Sequence, residues 1–212
     1  MTQPAIESLL AMAPVIPVIV IDDAQYAIPL AEALVAGGLR VIEVTLRTSA
    51  ALDAIRAMSD VPGAIVGAGT VLDSARLDAA AAAGARFVVS PGFTDSLARA
   101  AESARVPLLP GAVTPSEVMA ARDAGYRRLK FFPAEACSGI RKLRSYASVF
   151  ADVLFCPTGG IDAESARDYL ALSNVACVGG SWLAPVIALH AADWSGITRR
   201  AREAAALRAA AG

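Results

Sequence analysis

The chain has 212 residues, 56 % of them hydrophobic and 18 % charged, with a formal net charge of -1. These totals describe a cored globular protein rather than a disordered one, and they leave no basic surplus to hold a nucleic acid. No apolar run reaches the ~18 residues of a membrane helix.

In chain order, an extra helix is expected over 6–12, before a first strand over 15–21 that ends at Asp22-Asp23. Ala-rich helical spacing over 24–36 leads to a strand over 41–46. Helix and strand then alternate: 50–58 and 64–69, 74–83 and 87–90, 95–103 and 106–109. The alternation continues with 115–124 and 129–132, 140–147 and 153–156, then 163–170 and 175–178. A helical, Arg-rich tail occupies 196–211. Gly38, Gly84 and Gly125 stand where C-terminal caps belong, and Ser49, Asp73, Thr94, Thr114, Ser138 and Asp162 where N-caps belong.

Strand–helix alternation with short connections requires a parallel sheet. Eight such units predict a single-domain (β/α)8 TIM barrel preceded by one helix. An open doubly wound sheet is the other arrangement, but no G-x-G-x-x-G follows the first strand. The N-terminal segment, with Glu7 and no basic region, does not read as a signal peptide. Cys137, Cys156 and Cys177 show no C-x-x-C pairing, as expected of reduced thiols in the cytoplasm.

Lys130 and Lys142 are the only lysines among 19 basic residues, the others being arginines. Lys142 lies between Arg141 and Arg144 and reads as a solvated helix residue. Lys130 lies between Leu129 and Phe131 in an apolar strand. Unlike arginine, a lysine there can shed its proton and attack a carbonyl; the plainer reading is a lysine that snorkels to water. Strand alternation puts Lys130 and Phe132 on one face, and Glu43, Thr45 and Arg47 on one face of their own strand. With both faces inward, Glu43 lies opposite Lys130 and Arg47 adds a cation nearby. An interior carboxylate is costly unless paired, so Glu43 is either a general acid/base or half of a structural pair with Arg47.

Glycines crowd the expected strand ends. The pairs Gly159-Gly160 and Gly179-Gly180, the second followed by Ser181, suggest a phosphate cradle after strands seven and eight. His190 stands alone, which weighs against a His triad or a multi-His metal site. It reads as packed or on the surface. Cys156 could line the pocket without a partner base, and Asp22-Asp23 is most simply a helix start. A metal-free, cofactor-free mechanism is expected.

Seven stretches together resemble the 2-keto-3-deoxy-6-phosphogluconate (KDPG) and 4-hydroxy-2-oxoglutarate aldolase family. They are Glu-Val-Thr-Leu-Arg (43–47), Gly-Ala-Gly-Thr (67–70), Ser-Pro-Gly (90–92), Pro-Gly-Ala-Val-Thr-Pro-Ser-Glu (110–117), Lys-Phe-Phe-Pro-Ala-Glu (130–135), Pro-Thr-Gly-Gly-Ile (157–161) and Gly-Gly-Ser-Trp (179–182). The resemblance implies a homotrimeric class I aldolase acting on a small 2-keto acid sugar phosphate, with Lys130 as Schiff-base nucleophile and Glu43 as acid/base. It implies that Arg47 and Thr70 bind the substrate carboxylate, that Pro91 and Phe132 shape the pyruvyl pocket, and that Gly159, Gly160, Gly180 and Ser181 hold the phosphate. Relatives acting on the galactonate epimer tend to carry an aliphatic residue where this chain has Thr158, so Thr158 points to the gluconate substrate. The galactonate epimer, a phosphate-binding isomerase or epimerase, and a non-catalytic phosphometabolite-binding barrel are the competing readings.

Overall fold

The structure is a computed structural model that describes residues 3–208; the end of the expected helical tail, 209–211, lies outside the described residues. Among the described residues there are eight strands: β1 (Val15–Ile19), β2 (Val41–Thr45), β3 (Ile65–Gly69), β4 (Val88–Val89), β5 (Leu108–Leu109), β6 (Arg128–Phe131), β7 (Leu154–Pro157) and β8 (Val178–Gly180). Helix α1 (Gln3–Ala11) precedes β1. Each of α2 (Ala27–Ala36), α3 (Ala51–Ser59), α4 (Ser74–Ala82), α5 (Asp95–Ser103), α6 (Pro115–Asp123), α7 (Gly139–Val149) and α8 (Ser165–Leu170) separates consecutive strands. After β8 come α9 (Val186–His190), which the sequence reading did not separate, and α10 (Trp194–Ala205). No described helix is long and apolar enough to cross a membrane.

All the pairings are parallel. Six strands form one sheet in the order β5-β4-β3-β2-β1-β8, and β6 and β7 form a second. A bridge between Gly111 and Lys130 joins the pair to the β5 side. Bridges from Phe155 to Val175 and from Thr158 to Gly179 join it to the β8 side. The result is an α/β fold whose parallel strands curl around a shared interior.

Local chemistry explains four of the helix starts. Asp73 accepts from Arg76 N and Thr94 from Leu97 N, while Thr114 and Glu117 form a full capping box at α6. Asp162 caps from further out, accepting from Glu164 N and Ser165 N. Two expected caps fail. Helix α3 begins after Ala50 with no side-chain bond, the chain before it being held by Thr48, whose hydroxyl donates to Ile21 O at 2.5 Å. Ser138 adopts a left-handed conformation, φ +55°, and its side chain caps nothing. Gly38, Gly84 and Gly125 take φ of +94°, +97° and +88°, values that glycine adopts without a Cβ penalty.

Two apolar clusters follow from strand alternation. Leu129, Phe131 and Phe155 point outward and pack with buried helix residues such as Leu30, Leu143 and Tyr169. Ile16, Val41, Phe87, Val89, Leu109, Cys156 and Cys177 face inward, and Ile6 and Leu10 of α1 join them. The expected strand at 175–178 is displaced, because β1 sets the register. Val15, Ile16 and Pro17 pair with Val178, Gly179 and Gly180, so residues read as a loop belong to the strand.

Candidate active site

A cavity of about 360 Å³ opens at the C-terminal ends of the strands. It is lined by Val18, Glu43, Thr45, Arg47, Thr70, Pro91, Lys130, Phe132 and Thr158. Seven of these were expected from sequence, and they come from five strands or the residues just after them. Another cavity, of about 380 Å³ and lined by Arg167, Trp182, Arg200 and Glu203 among others, contains no lysine.

Lys130 and Glu43 meet in the first cavity. Lys130 Nζ donates to Glu43 Oε1 at 2.9 Å, and both residues are buried, at 6 % and 3 % exposure. The expected placement is therefore correct, and the Glu43–Arg47 structural pair is not the arrangement found: the carboxylate bonds to the lysine. Phe132 lies beside the amine, its ring centroid 5.5 Å from Nζ. Lys130 does not snorkel outward. A primary amine held against a carboxylate at the floor of a cavity can hand over its proton and become a nucleophile.

The neighbouring strands are shaped to hold this pair. Glu43 lies opposite Gly67 in the β2–β3 register, and Thr45 opposite Gly69. A Cβ on Gly67 would run into the Phe87 ring, and one on Gly69 into the Glu43 carboxylate. The glycines of β3 thus make room for side chains rather than cradle an anion. Thr70 follows them at φ +56°, a left-handed conformation costly for a β-branched residue.

Thr158 is 5 % exposed and its hydroxyl donates to Cys156 O at 3.4 Å. Gly159 and Gly160 form a turn directly after it, with φ of +101° and +81°. Gly180 ends β8, its Cα side filled by the Trp182 ring, and Ser181 is exposed. These four residues do not line the cavity itself; they flank it at Thr158. Cys156 does not line it either, sitting in the inner core with its Sγ 3.5 Å from Cys177 Sγ. His190 is at the surface, hydrogen-bonded through Nε2 to Asp22 Oδ2 at 2.9 Å, so Asp22 is a side-chain partner of His190 while Asp23 caps the next turn.

The family model "Aldolase: KDPG and KHG aldolase" matches residues 6–200. The chain belongs to the KDPG and KHG aldolase family. It is 54 % identical over 199 residues to the KHG/KDPG aldolase of Escherichia coli (strain K12), covering 93 % of each chain. The 2-keto-3-deoxy-6-phosphogluconate aldolase of Zymomonas mobilis ZM4, solved with 3-phosphoglycerate, superposes with a TM-score of 0.92 at 51 % identity, covering 99 % of both chains. The KDPG aldolase of Legionella pneumophila, in which pyruvate was captured as a covalent carbinolamine intermediate, gives a TM-score of 0.91 at 46 % identity, covering 94 % of this chain and 97 % of that one.

Two lining residues of this family member carried no assigned role in the sequence reading, Val18 and Thr45. Both were accessible to it. Val18 pairs with Glu43 and shares the inward face with Ile16. Thr45 shares the face of Glu43, and its hydroxyl donates to Ile19 O at 2.9 Å, tying β2 to β1 at the cavity mouth.

Proposed function

We propose that this protein is a class I aldolase that cleaves 2-dehydro-3-deoxy-6-phosphogluconate to pyruvate and D-glyceraldehyde 3-phosphate, with 4-hydroxy-2-oxoglutarate as a second substrate. One observation carries the reading: the buried 2.9 Å contact between the Lys130 amine and the Glu43 carboxylate inside a cavity large enough for a small substrate.

The chemistry follows from that pair. Lys130 passes its proton to Glu43, and the free amine adds to the C2 ketone. The adduct is a carbinolamine, the species named for the Legionella relative. Glu43 returns a proton to the departing hydroxyl, and water leaves an iminium. The carboxylate, now free, takes the C4 hydroxyl proton. The C3–C4 bond breaks, its electrons enter the iminium, and the aldehyde departs. The enamine takes a proton from Glu43 at C3, and water then releases pyruvate and the amine. One carboxylate serves each transfer in turn.

Arg47 and Thr70 are proposed to hold the substrate carboxylate, Arg47 by its two-pronged guanidinium. Pro91 and Phe132 form the walls beside the pyruvyl group. Thr158 faces the C4–C5 region, and its hydroxyl favours the gluconate over the galactonate configuration. Gly159, Gly160, Gly180 and Ser181 take the phosphate, in keeping with the phosphorylated ligand of the Zymomonas relative. We further infer that the strands close, through the bridges at both seams, into one (β/α)8 barrel domain, and that the enzyme works as a cytoplasmic homotrimer, which sedimentation can test.

The decisive experiment is incubation with pyruvate and borohydride followed by mapping of the adduct. A reduced adduct on Lys130, absent in Lys130→Arg, is expected. An adduct on Lys142, or none, would remove the nucleophile.

A further inference from the structure

The turn formed by Gly159 and Gly160 rests on a second set of residues outside the cavity. Ala134 N donates to Thr158 O at 2.8 Å and Glu135 N to Gly159 O at 3.1 Å, so the segment after β6 carries the segment after β7. The contact is close: a Cβ on Gly160 would lie 2.7 Å from Glu135 Cβ and 2.8 Å from its Cγ. The turn therefore lies directly on the stem of Glu135. The far end of that side chain is fixed in turn, because Tyr169 Oη donates to Glu135 Oε1 at 2.6 Å. Tyr169 belongs to α8, is fully buried, and its hydroxyl fills the space beside Gly139, where a Cβ would come within 2.5 Å of it. Burial first, and the bond to Glu135 second, push the phenol above its ordinary range, so it stays a donor at working pH.

We propose that Glu135, clamped by Tyr169, is a positioning residue that holds the Gly159-Gly160 turn in register for the phosphate of the substrate. This rests on the reading above that the turn receives the phosphate. Glu135 touches no reacting atom in this scheme. It links the strand that bears Lys130 to the turn, so that the distance between the nucleophile and the phosphate end is set by protein rather than by substrate. A bond whose purpose were only to staple α8 down would support every substrate equally. A bond that sets the turn would matter only to substrates that carry a phosphate.

The test compares cleavage of 2-dehydro-3-deoxy-6-phosphogluconate with cleavage of unphosphorylated 4-hydroxy-2-oxoglutarate in Glu135→Ala, Tyr169→Phe and Glu135→Gln. Loss of one hydrogen bond to a charged acceptor is expected to raise KM for the phosphorylated substrate about tenfold in the first two, with kcat within about twofold. KM for the unphosphorylated substrate and the rate of C3 proton exchange of pyruvate in heavy water should not change. Glu135→Gln, whose amide oxygen still accepts from Tyr169, should restore the wild-type KM. Equal losses with both substrates, or a glutamine variant as impaired as the alanine one, would make the contact merely structural and overturn the proposal. Wild-type enzyme that binds both substrates equally would overturn the phosphate reading, and the strut with it. Wild-type discrimination that survives Glu135→Ala would overturn the strut alone.

Discussion

Gly69 and Glu43 compete for one piece of space, and the carboxylate has it. A Cβ at position 69 would stand 2.1 Å from Glu43 Oε1 and 2.7 Å from its Cγ. The same Oε1 accepts the bond from Lys130, so the missing side chain of Gly69 is what lets the carboxylate reach the amine. Gly69→Ala is therefore expected to push Glu43 off Lys130. A positioned acid/base contributes roughly 10²–10⁴-fold to rate, so kcat should drop by about two orders of magnitude or more. Steady-state kinetics beside circular dichroism checks this; a folded variant with near-native kcat would refute the arrangement.

Thr70 presents a trade between stability and activity. Its left-handed backbone, φ +56°, is unfavourable for a β-branched residue by ~1–3 kcal/mol. Glycine at that position would relieve the strain while adding about 0.5–1 kcal/mol of chain entropy to be lost on folding. Thr70→Gly is expected to be at least as stable as the wild type in denaturant melts, yet to lose kcat/KM through the missing cavity hydroxyl. Thr70→Ala should lose the same activity while remaining less stable than the glycine variant.

Much of this was legible in the sequence because both periods were clean. Lys130 alternates with Leu129 and Phe131, and Glu43 with Ile42 and Val44, so their inward placement needed only the rule that strand residues alternate. The strand-end glycines were harder to read. Gly67, Gly69 and Gly179 serve close side-chain approach, to Phe87, Glu43 and Thr158 respectively, and such contacts between different strands leave no local mark. The start of β8 was missed for the same reason, since its register is dictated by pairing with β1 across the length of the chain. Ser49 and Ser138 had cap chemistry, but the chain places Ala50 at the N-cap of α3 and turns Ser138 left-handed, which only the surrounding loops decide.

The α6 capping box gives an acid-dependent contribution to stability. Glu117 is exposed; what desolvation it suffers raises its carboxyl, but bonds from Thr114 N and Val113 N outweigh this and hold it below its ordinary value of 4.5. A carboxylate depressed on folding stabilises fully above the unfolded value, and that stability is lost as pH falls through the lower folded value. Because Gln can still accept the backbone bonds of the box, wild type should exceed Glu117→Gln only by the worth of an exposed charge in the first turn, about 0.3–1 kcal/mol near neutrality. The gap should shrink as pH drops below 4.5. Urea melts from pH 7 to pH 3 (about the span over which a carboxylate titrates) measure it; a constant gap would show that the charge is not involved.

The Lys130–Glu43 pair should itself be a cost to the fold. Two buried charges lose their hydration, and their attraction offsets that loss only partly, so well-packed apolar replacements of a buried pair are often neutral or stabilising by about 1–4 kcal/mol. Removing one partner alone strands the other and costs roughly 3–5 kcal/mol. A double-mutant cycle with Lys130→Met and Glu43→Leu separates the two effects. Each single variant is expected to be clearly less stable than the wild type, and the double variant at least as stable as it, while all three are inactive. That result would mean the pair is kept for its chemistry, since the fold would stand as well without it. A double variant as unstable as the sum of the singles would instead make the contact a structural bond of the interior, and the amine's reactivity would need another source.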